Sequence, residues 1–396
     1  MNFKVMFRLP LHVRGRLGLL LLLMPFLTAA HVFAQHASSP LSIGSSAPDF
    51  ALPGVDGKVH KLSDYVGSKV LVIAFLCNHC TASQLYEGRI QRLADDYRGK
   101  GVSLVAIEAD NPDSVPMEDL AYTDVGDSLA DMKERVSYRH LTFPYLYDGE
   151  TQRVTKLYGA TVAPQIFIFD QGRKLRYEGR VDDNPKETLV QTSDARNALD
   201  SLLADRPVGV THTTATGCDL RWAATVADVQ AEKIKTEAEP VTVALAGPEE
   251  LKKLRANEAG KMLLVNFYAT WCGPCVSEFP DLIATSRMYR GRGLVLTTVS
   301  SNEPDEQPDV LKFLQKMHAS TTSNLLFGTT DTYALQAAFD PNMGAGVPFT
   351  VLIAPDGDIL YQEVGELDMM KLRRAILANL PEDKSHEGSR TYWATK

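Results

Sequence analysis

Two pairs of cysteines have the spacing at which two thiols can react with each other. Cys77 and Cys80 lie in the stretch AFLCNHC, and Cys272 and Cys275 lie in ATWCGPC. When a strand that ends in Cys-x-x-Cys turns into a helix, the first sulfur lies at the helix N-terminus, where free N–H groups and the helix dipole stabilise a thiolate. The second sulfur lies three residues on and within disulfide reach. Both pairs are therefore predicted to exchange dithiol for disulfide, the first cysteine attacking and the second resolving.

The residues between the two cysteines differ between the pairs. His79 lies inside the first pair, whereas Gly273 and Pro274 lie inside the second. A histidine here can donate a hydrogen bond or a positive charge to the Cys77 thiolate, which favours the reduced form and makes the disulfide a stronger oxidant. This difference predicts electron flow from the second pair to the first, unless His79 points to solvent and leaves the thiol unchanged.

The predicted elements around the two pairs follow in the same order. A predicted buried strand precedes each pair, the continuous apolar run 70–76 in one half and the largely apolar run 262–268 in the other, and a helical pattern follows it. In each half a proline, Pro164 or Pro348, then leads into another apolar strand, a turn and a closing helix. Two copies of one series predict two domains of similar topology rather than one large domain.

The first 34 residues have the pattern of a secretory signal. Four basic residues and no acid occur among the first 16 positions, the apolar run LGLLLLLMPFLTAA follows, and small residues precede a cleavage site after Ala34. The run is short for a membrane span, although an uncleaved anchor is the alternative. Export to the periplasm puts the five cysteines in an oxidising compartment. A net charge of −8 argues against nucleic-acid binding.

The fifth cysteine, Cys218, lies outside both pairs, in a predicted connector. A lone cysteine is more often a small buried side chain than a reactant, and the alternative is a third thiol that swings onto Cys77 or Cys80. The predicted segments are a signal peptide over 1–34, a first domain over 43–206, the connector over 207–240, a second domain over 241–382 and a polar tail over 383–396.

The second pair and its flanks resemble the TlpA/ResA type of exported thioredoxin-like reductase. The resemblance rests on ATWCGPC, on the preceding VNFY and on the following Glu278-Phe279-Pro280, and it extends over about 241–380. It implies that Cys272 attacks, that Cys275 resolves and that Pro348 is a cis-proline facing the disulfide, at the one kind of bond where cis is cheap. For Glu278 it implies a role in tuning the thiol pKa and transferring protons, beside the ordinary role of a carboxylate in a first helical turn.

The first half resembles the peroxiredoxin-like branch of the redoxin (AhpC/TSA) family. The resemblance runs from about 43 to 222 and rests on APDFAL, LSDYVG, FLCNHC, YGATVAPQIFIFD, YEGRVDD and TGCDLRW. It implies a second thioredoxin-like fold with Pro164 as its cis-proline. The expected fold class is therefore α/β, two tandem thioredoxin-like folds with central mixed β-sheets flanked by helices. Peroxidatic members carry Pro-x-x-x-Thr-x-x-Cys, and the run before Cys77 has neither the proline nor the threonine, which favours disulfide exchange over peroxide reduction.

Metal binding is the competing use of CNHC. Two thiolates with a nearby histidine could hold Cu(I), which would make the first domain a copper-binding or client-docking module, provided that His140 or His60 approaches. Structural zinc is not favoured, because each cysteine pair stands alone in the sequence. We expect neither a metal nor a cofactor.

These observations together predict an exported thiol–disulfide oxidoreductase that acts on protein substrates. Its partners are expected to be protein dithiols and disulfides, and an upstream membrane or periplasmic reductant. A peroxide reductase regenerated by its own thioredoxin domain is the alternative. The predicted catalytic residues are Cys272, Cys275, Cys77, Cys80, Pro348, Pro164, Glu278 and His79.

Overall fold

A fully buried seven-residue strand lies at the centre of each half of the chain. The computed structural model describes residues 41–344, 346–383, 386 and 392–393, so the predicted signal segment 1–34 lies outside the described residues. In the first half the central strand is β3 (Val70–Leu76), and in the second half it is β11 (Met262–Tyr268). Each is hydrogen-bonded to neighbours on both sides, and every residue of both is buried, as the apolar runs predict.

The first half forms a five-stranded mixed sheet in the order β5-β4-β3-β7-β8, with β4 parallel and β7 antiparallel to β3. Its strands are β1 (Ala51–Pro53), β2 (Val59–Lys61), β3, β4 (Val102–Glu108), β5 (Tyr145–Tyr147), β6 (Val162–Ala163), β7 (Gln165–Phe169), β8 (Leu175–Gly179) and β9 (Cys218–Asp219). Its helices are α1 (Thr81–Arg98), α2 (Leu129–Arg139), α3 (Arg153–Tyr158) and α4 (Asp194–Leu203), followed by α5 (Val226–Glu237).

The second half forms a six-stranded mixed sheet in the order β10-β13-β12-β11-β14-β15, with β12 parallel and β14 antiparallel to β11. Its strands are β10 (Ala244–Ala246), β11, β12 (Leu294–Ser300), β13 (Ser323–Phe327), β14 (Phe349–Ile353) and β15 (Ile359–Val364). Its helices are α6 (Pro248–Ala256), α7 (Gly273–Tyr289), α8 (Gln307–Lys316), α9 (Thr332–Phe339) and α10 (Met369–Asn379). The predicted α/β class with mixed sheets flanked by helices is confirmed.

Alternate residues of the central strand supply the cores on the two faces of the sheet. Val70 and Val72 of β3 pack in one apolar cluster with residues of α1 and α4, whereas Leu71 and Ile73 pack in another on the opposite face. Because helices and loops cover both faces, no position of β3 can be polar without losing hydration. The chain leaves the sheet at Leu76, and α1 begins at Thr81.

The segment predicted as a connector contains ordered structure. Cys218 and Asp219 form β9, which pairs antiparallel with β6, so that Cys218 lies opposite Ala163. The Lys/Glu-rich part of the connector forms the twelve-residue helix α5. Part of the segment 207–240 therefore packs with the first half, because the pairing of β9 with β6 fixes its position.

The loop between β4 and α2 makes polar contacts with helices of the second half. The Tyr289 hydroxyl of α7 donates to the carbonyl oxygen of Thr123 at 2.6 Å, and Nε of Arg374 lies 2.7 Å from Oδ2 of Asp124. The backbone and the carboxylate of this loop are fully buried at these points. Both sheets fall in one compact unit, Ser38–Lys396.

Two residues of the predicted polar tail are buried against the first half. Arg135 of α2 donates from Nη1 to the Tyr392 hydroxyl at 3.0 Å, and the Trp393 indole N–H donates to the carbonyl oxygen of Tyr122 at 3.0 Å. Tyr392 and Trp393 are 8% and 4% exposed. The polar composition of 383–396 gave no indication that these two aromatic side chains would be buried. Their burial stabilises this segment of the chain. Among the described residues, no helix combines the length and the apolarity needed to cross a bilayer.

Candidate active sites

The sulfur of Cys272 lies at the N-terminus of α7, as the sequence predicts. Cys272 is the N-cap residue, and its Sγ accepts a hydrogen bond from the backbone N–H of Cys275 at 3.3 Å. The two sulfurs form a disulfide with an S–S distance of 2.06 Å. Cys275 is fully buried, whereas Cys272 keeps an exposed edge of 7%. The outer sulfur is therefore the one that a partner can reach, and the helix N-terminus stabilises it as a thiolate once the bond is reduced.

A cis-proline faces this disulfide. The Val347–Pro348 peptide bond is cis, and the carbonyl oxygen of Val347 lies 3.7 Å from Sγ of Cys272. Trp271, next to Cys272, is 68% exposed, which is unusual for so large an apolar side chain. The reachable sulfur thus lies between a backbone edge and an exposed aromatic surface, both suited to contact with an extended polypeptide.

Glu278 is buried one helical turn beyond Cys275. Its carboxylate accepts hydrogen bonds from Nδ2 of Asn266 at 3.3 Å and from the backbone N–H of Leu367 at 3.2 Å. Burial raises the pKa of Glu278, and the two hydrogen bonds oppose that rise. A carboxyl group with a raised pKa is suited to giving up and accepting a proton nearer to neutral pH than an exposed glutamate.

In the first half it is Cys80, and not Cys77, that has the position of Cys272. Cys80 is the N-cap of α1 and comes four residues after the end of β3, as Cys272 comes four residues after the end of β11. Sγ of Cys80 accepts the N–H of Ser83 at 3.4 Å and lies 3.3 Å from the carbonyl oxygen of Ala163, which precedes the cis-proline Pro164. The equivalent of Cys275 is therefore Ser83, and the two Cys-x-x-Cys motifs are offset by three residues.

Cys80 is bonded to Cys218, so the predicted pairing of Cys77 with Cys80 is wrong for the oxidised chain. The S–S distance is 2.14 Å and the two Cα atoms are 6.0 Å apart. The pairing of β9 with β6 carries Cys218 to this position. Gly217 makes the approach possible, because a Cβ there would lie 2.1 Å from the carbonyl oxygen of Ala163. Of the two predicted roles for Cys218, the third thiol that reaches Cys80 is the correct one.

Cys77 is a buried free thiol at the end of β3. It is 2% exposed, and its Sγ lies 3.8 Å from Oγ of Ser83. Burial, followed by the negative charges of Asp110, Asp127 and Glu108, raises the pKa of Cys77 well above its ordinary value. These surroundings favour the protonated thiol and do not support the prediction that Cys77 is the attacking thiolate.

His79 is buried and is held by aspartates, so it neither points to solvent nor serves the Cys77 thiolate. Its Nδ1 donates to Oδ2 of Asp127 at 2.5 Å, and Oδ1 of Asp127 accepts the backbone N–H of Asn78 at 2.7 Å. Burial lowers the pKa of His79, but the charge of Asp127 and its hydrogen bond outweigh that effect and raise the pKa to about 9. The imidazolium balances buried carboxylates, a role that no spacing in the sequence signals.

The copper hypothesis loses one of its ligands in this arrangement. It needs both Cys77 and Cys80 as thiolates, and Cys80 is bonded to Cys218. His60 contacts Asp56 and Tyr65 instead, and neither His60 nor His140 belongs to the group of possible metal ligands found among the described residues.

Comparison with known families finds two domains in this chain. Residues 43–178 match the AhpC/TSA family and residues 233–376 match the redoxin family. Both domains belong to the thioredoxin superfamily. We call the first the AhpC/TSA domain and the second the redoxin domain.

Related proteins include thiol–disulfide oxidoreductases. Thiol-disulfide oxidoreductase ResA of Geobacillus thermodenitrificans is 26% identical over 160 residues, which cover 40% of this chain and 79% of ResA. The thiol:disulfide interchange protein CycY of Rhizobium leguminosarum is 30% identical over 30% of this chain and 58% of CycY. The crystal structure of a hypothetical protein from Sinorhizobium meliloti is 32% identical over 47% of this chain and 98% of that one, with a TM-score of 0.42. The predicted enzyme class, an oxidoreductase, is confirmed by ResA and CycY.

The peroxidatic pattern Pro-x-x-x-Thr-x-x-Cys falls on different positions when Cys80, rather than Cys77, is taken as its cysteine. In the AhpC/TSA domain the threonine of that pattern would fall at position 77 and its proline at position 73, where the chain has Cys77 and Ile73. The pattern is therefore incomplete from either cysteine, and the thiol Cys77 lies where peroxidatic relatives carry a hydroxyl.

We expect the described disulfides to leave Cys77 as the one free thiol of the oxidised chain, since all five cysteines lie in its described part. Alkylation in denaturant without reductant, followed by peptide mass spectrometry, should label Cys77 alone. Cys218→Ser should add a second label at Cys80, and the control Cys77→Ser should remove all labelling. A peptide joining Cys77 to Cys80 would contradict the assignment.

Glu278 should make the redoxin domain less stable as the pH rises above the ordinary glutamate pKa of 4.5. The folded state binds this proton more tightly than the unfolded state, so its contribution is complete below 4.5 and is lost through the raised folded pKa. The free energy of unfolding of Glu278→Gln, measured against pH, should lack that decline. Exposed Glu258→Gln should follow the wild type, and identical profiles for all three proteins would contradict the buried role of Glu278.

Proposed function

We propose that the chain is an exported thiol–disulfide oxidoreductase that exchanges dithiol for disulfide on protein substrates through Cys272 and Cys275. The observation that carries the proposal is the reachable sulfur of Cys272 at the N-terminus of α7, bonded to buried Cys275 and facing cis-Pro348. The names of the relatives ResA and CycY describe the same class of reaction. Cys272, Cys275 and Pro348 keep the roles proposed from the sequence.

In the reducing direction the reaction starts from the dithiol form. The Cys272 thiolate attacks one sulfur of a client disulfide, the other client sulfur leaves and takes a proton, and a mixed disulfide joins client and enzyme. Cys275 then loses its proton and attacks the sulfur of Cys272, which releases the second client thiol. Two electrons have passed to the client, and an upstream reductant, itself a thiol or dithiol, must restore the Cys272–Cys275 pair.

We further propose that Cys80 and Cys218 form the second redox couple, in place of Cys77 and Cys80. Cys80 shares with Cys272 the helix N-terminus and the neighbouring cis-proline, the two features on which the first part of the proposal rests. A groove of about 610 Å³ has Cys80 and Cys218 in its wall. In this role Cys80 is the thiol at the helix end, Cys218 is its partner, and Pro164 faces the bond.

Export and a periplasmic location belong to the same proposal. They rest on the charge and apolar pattern of 1–34, which lies outside the described residues, and on the resemblance of the second half to exported reductases. An oxidising compartment also suits two disulfides in one chain, since cytosolic reductants would keep both open.

Trapping of mixed disulfides tests the exchange reaction. Cys275→Ser should accumulate covalent adducts with protein substrates that carry disulfides, because the resolving thiol is gone, whereas Cys272→Ser should form none at this site. Cys77→Ser is the matched control, and it should trap no more than the wild type. Adducts that form equally on Cys272→Ser and Cys275→Ser would refute the assigned roles.

The two couples should differ in reduction potential, with electrons passing from Cys272/Cys275 to Cys80/Cys218. The Cys-Gly-Pro-Cys pattern resembles that of the more reducing thioredoxins, so the other couple should have the less negative potential. Each couple can be titrated alone in the full chain, with Cys80→Ser/Cys218→Ser for one and Cys272→Ser/Cys275→Ser for the other. A Cys80/Cys218 potential equal to or below that of Cys272/Cys275 would reverse or abolish this direction.

A further inference from the structure

A buried group of charged side chains surrounds Cys77 and has no part in the proposed exchange reaction. Glu108 and Asp110 are fully buried and Asp127 is 1% exposed, and all three act electrostatically on the Cys77 thiol. Of these, Glu108 accepts a hydrogen bond from the Tyr145 hydroxyl at 2.6 Å. The one cationic side chain in contact with Asp110 and Asp127, within the described residues, is His79. Burial raises the pKa of Glu108 well above its ordinary value and that of Asp110 to about 7, so the group is one in which a bound cation would favour the ionised carboxylates.

Three different ligand types lie close together inside this group. One potential ligand atom each of Cys77, His79 and Asp110 lies within 4.8 Å of the other two, and all three residues are buried. Thiolate, imidazole and carboxylate are the ligands of zinc in proteins, at about 2.0–2.3 Å from the ion, which separates the ligand atoms by about 3–4 Å. Side-chain adjustments of about 1 Å would bring the three atoms to that spacing.

The hydrogen bonds that His79 and Asp110 make leave one potential ligand atom of each available to an ion. His79 uses Nδ1 to bond Asp127, and within the described residues no hydrogen bond engages Nε2, which is the arrangement in which a carboxylate orients a metal-binding histidine. Oδ2 of Asp110 accepts no well-aligned hydrogen bond from the described residues, although the residue is fully buried, and Nδ1 of His79 lies 3.7 Å from it. A buried carboxylate oxygen without a donor is costly, and a cation is one way to satisfy it.

We propose that Cys77, His79 and Asp110 form a binding site for a divalent cation of the zinc type. Binding displaces two protons, the thiol proton of Cys77 and the Nε2 proton of the His79 imidazolium. It leaves a thiolate, a carboxylate and a neutral imidazole around the ion, so that the two negative ligands balance its charge. Three protein ligands leave one coordination position open. Asp127 acts as the partner that orients His79. The site differs from the copper hypothesis in using Asp110 and in leaving Cys80 free to bond Cys218.

Co²⁺ is a direct probe of this site, because a cobalt–thiolate bond gives near-ultraviolet charge-transfer absorption. The full chain is used with both disulfides intact, so that Cys77 is the one thiol that can produce the signal. Co²⁺ is added to the purified chain and, separately, is supplied to the cells that produce it, so that slow entry to a buried site cannot hide binding. We expect one Co²⁺ per chain, the charge-transfer absorption, and displacement of Co²⁺ by Zn²⁺.

Variants separate the ligands from their surroundings. Cys77→Ser should abolish the charge-transfer absorption, and Asp110→Asn, which keeps the shape of the side chain, should weaken Co²⁺ binding at least tenfold. Asp127→Asn should weaken it by about 10–100-fold through the loss of the orienting hydrogen bond. Asp148→Asn is the matched control, because Asp148 is equally buried but bonds Thr155 instead, and it should bind Co²⁺ as the wild type does.

Three results would overturn the proposal. The first is the absence of the absorption in the folded wild type with saturating Co²⁺ by both routes. The second is absorption that survives in Cys77→Ser, and the third is wild-type affinity in a folded Asp110→Asn. Circular dichroism of each variant distinguishes loss of the site from loss of the fold, and Asp110→Asn decides the question if Cys77→Ser does not fold.

Discussion

The chemistry of both halves depends on one distance along the chain. This is the number of residues between the last residue of the central strand and the N-terminus of the following helix. Leu76 and Tyr268 end strands that are covered on both faces, and the turn to the following helix comes directly after them. Four residues later the helix N-terminus is reached, and whichever side chain stands there receives the unpaired N–H groups and the dipole. Cys80 and Cys272 occupy that position. Cys77 remains at the strand end, among carboxylates, where a thiolate is disfavoured.

The sequence alone was sufficient for the architecture. Apolar runs, interrupted in β11 by Asn266, predict the two central strands with the bounds that the structure has, since a strand buried on both faces is apolar along almost its whole length. The redoxin-domain pair was also predictable, because Cys272-Gly-Pro-Cys275 is followed by a helix that starts at the first cysteine. Both prolines that the family resemblances implied to be cis, Pro164 and Pro348, follow cis peptide bonds.

The active site of the AhpC/TSA domain was harder to predict. Its two cysteines have the same Cys-x-x-Cys spacing as those of the redoxin domain, but they occupy different positions relative to the helix. In CNHC the first cysteine directly follows the strand and the second is the helix cap. The three-residue offset from CGPC cannot be recognised until the end of the strand is known. The partner of Cys80 comes from 138 residues away through a two-residue strand, too short for any periodic pattern. The position of His79 between the two cysteines predicted an effect on Cys77. Its hydrogen-bond partner is instead Asp127, 48 residues further on.

The loop that carries Asp127 also has a mechanical consequence for the whole chain. At one end Asp127 holds the backbone of Asn78 ahead of Cys80, and at the other end Thr123 and Asp124 accept hydrogen bonds from α7 and α10 of the redoxin domain. Tyr392, from the end of the chain, closes the same region from the opposite side through Arg135. Separation of the two domains would remove the partners of these buried groups, at a cost of about 1–3 kcal/mol for each one left unsatisfied. The domains, although each has its own sheet and its own disulfide, are thus held together by more than the chain that connects them.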